Sequence, residues 1–273
     1  MIPLSVPYLN GNELKYVTDC INSGWISSAG SYVKRFEDSV ANFVGAKHGI
    51  ACMNGTVGLH ISQIICDVKP RDYVIVPNLT FVATLNSVRY IGASPILIDV
   101  TPCSWQMNLD LLENFLKTKT ELRKENNRWF SFNKSDGKRI SAIIIVHALG
   151  NITNIQRLVK ISNKHHITLI EDSAESLGSY YNEKHSGTFG KAGIFSFNGN
   201  KIISTGGGGV IVTDDEELAR RAKHLTTTAK VDPINYIHDS IGYNYRLVNI
   251  LAAVGLAQME QLPEILKRKK KHG

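Results

Sequence analysis

The chain of 273 residues contains no run of about 18 apolar residues, so nothing in it reads as a membrane-spanning helix. Cysteine is sparse: Cys20, Cys52, Cys66 and Cys103 stand far apart and form no C-x-x-C pair, which excludes a structural zinc cluster or a redox dithiol on spacing. The nine histidines form no set with metal-ligand spacing, and no metal is expected. A nicotinamide-binding sheet would need G-x-G-x-x-G at its first strand-to-helix turn, and that turn reads NGTVGLH instead. A basic stripe interleaved with aromatics is missing too, which argues against nucleic acid. The formal net charge is +7, but Lys267, Arg268, Lys269, Lys270 and Lys271 form one run, without which the charge is +2. Such a run reads as a solvated helix face. The opening MIPLSVPYLNGNEL has neither the basic start nor the apolar stretch of a signal peptide. A reducing, cytoplasmic setting is the expectation.

What is present is an ordinary globular composition, 43% hydrophobic and 20% charged. Short β-branched runs (HGIACM, YVIVP, SPILIDV, ISAIIIVH, ITLIEDS, GIFSF, GGVIVTDD) alternate with helical patterns such as GTVGLHISQIIC, LDLLENFL and IQRLVKISNKHH. Strands that are continuously apolar and separated by helices predict an α/β fold with a mostly parallel sheet covered on both faces. In such sheets ligands gather at the carboxyl ends of the strands. The charged stretch KTELRKENNRWFSFNKSDGKR, 119–139, interrupts the rhythm and reads as a surface insertion of hairpin type. Residues 1–246 are expected to form one large domain with an N-terminal segment. Residues 247–273 read as the start of a helix leading to a C-terminal small domain that looks truncated.

Several strand ends carry chemistry: Asn54, Gly55 and Thr56, then Phe81, then Asp172 and Glu175, then Ser196 and Lys201. Each has a bland alternative. NGT and Asp172 can be helix caps, Phe81 can be core, and Lys201 can snorkel to the surface. Together they form the set that pyridoxal phosphate requires. Its aldehyde needs a lysine amine in a partly dry pocket, and Lys201 lies between apolar runs just before four glycines. Its ring nitrogen stays protonated only beside a carboxylate, which Asp172 can supply. Its phosphate needs helix-start N–H groups and hydroxyls, available from Gly55, Thr56 and Ser196. Phe81 can cover a ring face. His147, also at a strand end, reads as a satisfied histidine.

The motifs GWISSAGSYVKRFE, NGTVGLH, PNLTFVATLNSV, IEDSAESLGS, SFNGNKIISTGGGG and GYNYR, in that order across essentially the whole chain, resemble those of the DegT/StrS nucleotide-sugar aminotransferases, fold-type I pyridoxal-phosphate enzymes. The resemblance implies that Lys201 joins the cofactor aldehyde and that Asp172 partners the ring nitrogen. It implies that Gly55, Thr56 and Ser196 hold the phosphate and that Phe81 stacks on the ring. Glu175 falls where the family usually has Gln, sometimes His, against the ring hydroxyl. Asn244 of GYNYR is implied to reach the cofactor phosphate of a neighbouring subunit, so a homodimer is expected. Trp25, Ser27 and Ser28 of GWISSAG are implied to border the sugar site. The four glycines, the TTTAK stretch at 226–230 and the insertion resemble the branch that aminates UDP- or GDP-linked 4-keto-6-deoxy N-acetylhexosamines, of the bacillosamine and legionaminic acid type, with glutamate as donor.

Two enzymatic rivals weaken on residues: the sugar dehydratases among the relatives carry His in place of Lys201, and the nicotinamide reading lacks its glycine motif. The remaining alternative is a truncated, non-catalytic remnant that binds the cofactor or a nucleotide-sugar. Intact Lys201 and Asp172, which folding alone does not need, argue against it.

Overall fold

The computed structural model describes residues 5–232 and 234–272. The chain begins with α1 (Glu13–Ser23), α2 (Ser31–Val44), β1 (His48–Cys52), α3 (Gly55–Ile65), β2 (Tyr73–Pro77), α4 (Val82–Tyr90), β3 (Ser94–Ile98) and α5 (Leu109–Lys119). It continues with β4 (Thr120–Glu125), β5 (Arg128–Asn133), β6 (Arg139–Val146), α6 (Ile155–Lys164), β7 (Thr168–Asp172), β8 (Tyr180–Tyr181), β9 (Lys184–His185) and β10 (Ala192–Ser196). The remainder is β11 (Gly209–Thr213), α7 (Glu216–Thr226), β12 (Lys230–Asp232), β13 (Ile237–His238) and α8 (Asn249–His272). Each apolar run named in the sequence became a strand. Three helices start where the preceding side chain satisfies the first N–H groups: Asn108 accepts from Asp110 and Leu111, Asn154 from Arg157, and Asp215 from Leu218. No helix among the described residues is long and apolar enough to cross a membrane.

The chain divides into two compact units, residues 59–193 and residues 1–58 with 194–273. In the first, strands lie in the order β7, β6, β2, β3, all parallel. Their core is aliphatic: Ile75, Ile143 and Ile145 from the strands meet Leu112 and Leu116 of α5 and Leu158 of α6. The expected insertion is a hairpin. β4 pairs antiparallel with β5, and β5 with β6. Its turn is Asn126–Asn127, both at positive φ (47° and 62°), the geometry that two-residue hairpins need and that Asn tolerates. The Ser-Asp-Gly signal serves the next connection, where the Gly137 N–H donates to the Asn133 carbonyl at 2.8 Å on the way into β6.

In the other unit β1 runs antiparallel to β11, with β10 on the far side of β11. The buried residues of α2 (Val33, Phe36, Glu37, Val40, Val44) recur at helical spacing, and α8 packs on α1 and α2. Three buried polar residues join sequence-distant segments. Glu13 accepts from the Gln258 and Gln261 amides, both at 2.6 Å. Glu37 accepts from the Ala51 N–H at 2.8 Å and from Lys223 Nζ at 2.7 Å. Asn249 accepts from the Tyr32 N–H at 3.0 Å and donates to the Trp25 carbonyl at 2.6 Å. The lysine run at the end of α8 is exposed through Lys271, as a solvated face should be.

Truncating Leu112, fully buried in the aliphatic core, leaves a cavity that its β-sheet neighbours cannot close. Leu112→Ala is expected to lower the unfolding free energy by about 2–5 kcal/mol, read as an earlier urea midpoint. An unchanged midpoint would mean that this core is not packed as described.

Candidate active site

In the unit containing residues 1–58 and 194–273, β1 ends at Cys52, and two residues on, Asn54 caps α3 by accepting from the Val57 N–H at 3.0 Å. The first helical residues are therefore Gly55 and Thr56, whose N–H groups belong to the orphan donors of a helix start. Ser196, the last residue of β10, lies against them: a Cβ placed on Gly55 would stand 3.1 Å from the Ser196 Cβ. Gly209, the first residue of β11, comes closer still. A Cβ there would lie 2.6 Å from the Asn54 carbonyl and 2.9 Å from the Gly55 nitrogen, so only glycine fits. Beneath the helix start, the Cys52 thiol donates to the Asn54 carbonyl at 3.3 Å, and burial pushes its pKa up to about 12. It is a support and not a nucleophile.

The segment from Ser196 to Gly209 closes on itself at its base, where the Phe197 N–H donates to Gly208 at 2.8 Å and the Thr205 N–H to Phe197 at 2.9 Å. Lys201 sits within this excursion, half-buried, its N–H donating to the Asn198 carbonyl at 3.0 Å. The GYNYR segment runs beside the end of β1, with the Met53 N–H donating to Tyr245 at 2.9 Å. Asn244 is exposed there and bridges to Thr227. The GWISSAG loop is held by its backbone: Asn249 donates to the Trp25 carbonyl through its side chain and to the Ser27 carbonyl through its N–H, at 2.6 and 2.7 Å. The Trp25 and Ser27 side chains face outward and Ser28 is half-buried.

In the unit of residues 59–193 the chemistry gathers at the carboxyl end of β7. Glu171 and Asp172 are consecutive, so their side chains leave opposite faces of the sheet. Glu171 has 0% exposure. It accepts from His147 Nε2 at 2.9 Å, from the Gly187 N–H at 2.8 Å, and from the Phe189 and Gly190 N–H groups at 2.6 Å. Burial alone would raise its pKa, but the His147 hydrogen bond and charge and the Gly190 and Gly187 N–H groups hold it below the usual carboxylate range. His147 is thus tied to Glu171 through Nε2, but it is not the fully satisfied histidine expected, because its buried Nδ1 has no hydrogen-bond partner among the described residues. Asp172, 6% exposed, accepts from the Thr84 hydroxyl at 2.7 Å and from the Ala174 N–H at 3.2 Å. Glu175 lies exposed in the following turn and accepts from the Leu149 N–H at 2.8 Å. Phe81, the residue before α4, is 76% exposed, so core packing does not explain it.

The match to known proteins is decisive about the family. The model of the DegT/DnrJ/EryC1/StrS aminotransferase family matches residues 7–273. The chain belongs to this family. It is 38% identical over 269 residues to GDP-perosamine synthase of Escherichia coli O157:H7, covering 98% of this chain and 68% of that protein. Among solved structures it resembles PseC of Helicobacter pylori, an aminotransferase involved in the biosynthesis of pseudoaminic acid (TM-score 0.83, 27% identity, 98% of this chain and 68% of that one). It also resembles the PLP form of a sugar aminotransferase from Streptococcus pneumoniae (TM-score 0.86, 26% identity, 99% and 69%). The chain thus spans about two thirds of the length of these relatives. The α/β fold with a mostly parallel sheet flanked by helices is that of pyridoxal-phosphate aminotransferases.

Pyridoxal phosphate is the cofactor of the family, and the residues present fit it. The glycine contact between β11 and the start of α3 leaves two helix-start residues beside a serine hydroxyl, which suits a phosphate. A buried carboxylate, Asp172, suits a protonated ring nitrogen. Sequence reasoning passed over Thr84, Glu171 and Gly209. All three stand inside quoted motifs, but the partners that give them their roles are remote in sequence, and no local pattern marks them.

Two outcomes follow. Gly209→Ala must push the start of α3 away, and is expected to weaken pyridoxal phosphate by about tenfold or more in a spectrophotometric titration; unchanged affinity would remove that helix start from the phosphate site. Because the folded-state pKa of Glu171 is depressed, its stabilisation is present above the ordinary carboxylate pKa and is lost as pH falls through the folded value. Glu171→Gln should cost about 3 kcal/mol or more near neutral pH and flatten the acid limb of stability against pH. A variant as stable and as acid-sensitive as the parent would contradict the buried-carboxylate account.

Proposed function

We propose that the protein is a pyridoxal-phosphate aminotransferase that moves an amino group from glutamate to the 4-keto carbon of a UDP- or GDP-linked 6-deoxy sugar, for surface-polysaccharide or glycan synthesis in the cytoplasm. The observation that carries this reading is the family match across residues 7–273 with Lys201, Asp172 and the Gly55–Ser196–Gly209 cluster all intact. Similarity to a GDP-perosamine synthase supports a nucleotide-linked sugar as acceptor.

When bound, pyridoxal phosphate supplies an electron-withdrawing ring over which the charge left by deprotonation of an adjacent carbon can spread. The chain's residues do the rest. Lys201 anchors the cofactor through its amine; once displaced, its Nζ takes the proton from the donor's α-carbon and, in the second half-reaction, delivers one to the sugar carbon that receives nitrogen. Asp172 holds a proton on the ring nitrogen. Gly55, Thr56 and Ser196 bind the phosphate, Phe81 covers the ring face, and Glu175 exchanges a hydrogen bond with the ring hydroxyl. Asn244 is assigned to the cofactor phosphate of a second copy, making the active form a homodimer. Trp25, Ser27 and Ser28 border the sugar.

The test is a coupled assay for 2-oxoglutarate with the cofactor, glutamate and a nucleotide-linked 4-keto-6-deoxy sugar. Turnover is expected, falling about 10³-fold or more in Lys201→Ala. Undiminished turnover in that variant, or none in the parent with any such sugar, would overturn the reading.

A further inference from the structure

We propose that Thr84 is a positioning residue that locks the Asp172 carboxylate to the start of α4, the same helix start that carries Phe81. The proposal rests on the assignment of Asp172 to the ring nitrogen of pyridoxal phosphate. Thr84 is completely buried, in the first turn of α4, three residues after Phe81. Its hydroxyl lies 2.7 Å from Asp172 Oδ2. An ionised carboxylate can only accept, so the Thr84 proton is committed to it. The 2.8 Å contact between the Thr84 and Thr80 hydroxyls then has Thr80 as donor.

The result is a directed chain, Thr80 to Thr84 to Asp172, in which each hydroxyl polarises the next. The second carboxylate oxygen accepts from the Ala174 N–H at 3.2 Å. Two donors from separate elements, a helix and the turn after β7, fix both the position and the plane of the carboxylate. Both of these donors are neutral, and each favours the ionised form of the carboxylate. The start of α4 adds the favourable end of a helix dipole. With the cofactor bound, Phe81 would meet its face and Asp172 its nitrogen, and Thr84 ties their spacing to one hydrogen bond.

The test is a double-mutant cycle on cofactor affinity. Dissociation constants for pyridoxal phosphate are measured by equilibrium dialysis for the parent, Thr84→Val, Asp172→Asn and the double variant, with thermal melting of each protein without cofactor. Thr84→Val is expected to weaken binding about tenfold in the parent, the worth of one hydrogen bond to a charged group. In the Asp172→Asn background it should change binding by less than about twofold. Thr84→Ser should restore the parent value. An equal loss in both backgrounds, or a serine variant no better than valine, would mean that Thr84 only packs α4 and would overturn the proposal. If Thr84→Val does not fold, Thr80→Val is read in its place and must show the same dependence on Asp172. Binding by Asp172→Asn as tight as the parent's would overturn the underlying assignment of Asp172, a result distinct from a failed cycle.

Discussion

Two neighbouring carboxylates at the end of one parallel strand, Glu171 and Asp172, have to be kept out of water and satisfied on opposite faces of the sheet. The requirement is severe, because a buried carboxylate without partners costs several kcal/mol. Glu171 meets it with three backbone N–H groups of the 187–190 loop and the His147 ring. Asp172 accepts from a helix hydroxyl and from one N–H. The first arrangement fixes the loop that leads into β10, and the second ties the end of β7 to the first turn of α4. The parallel register that sets Val146 opposite Asp172 brings His147 to the same strand end.

The other unit relies on buried polar residues of a different kind. Glu13, Glu37 and Asn249 each join segments far apart in sequence, and each is satisfied by amides or a single lysine. Asn249 is the most consequential of these. It holds the GWISSAG loop by its carbonyls at the start of α8, which leaves the side chains of that loop facing outward. Close glycine contact does comparable work at the helix start: Gly209 lets β11 approach Asn54 and Gly55 to a distance no side chain would allow.

Much of this was legible in the sequence, for physical reasons. Doubly covered parallel strands are continuously apolar, so YVIVP, ISAIIIVH and ITLIED announce themselves. Amphipathic helices announce themselves by period. The hairpin at 120–133 was legible as an interruption, but its turn was not: Asn126–Asn127 makes it, while the stronger-looking Ser-Asp-Gly signal belongs to the following connection. Lys201, Asp172 and Ser196 could be named as candidates because strand ends expose what precedes and follows apolar runs. Thr84, Glu171 and Asn249 could not, since each acquires its role from partners that only the folded topology supplies. Asp172 stands 88 residues from Thr84, and Trp25 stands 224 from Asn249.

Lys201, and no other lysine, is proposed to carry the cofactor. The direct measurement is to load the protein with pyridoxal phosphate, reduce with borohydride, digest, and locate the phosphopyridoxyl group by peptide mass spectrometry. One modified peptide is expected, with the group on Lys201. Label on a different lysine, or none after reduction of a saturated sample, would contradict it.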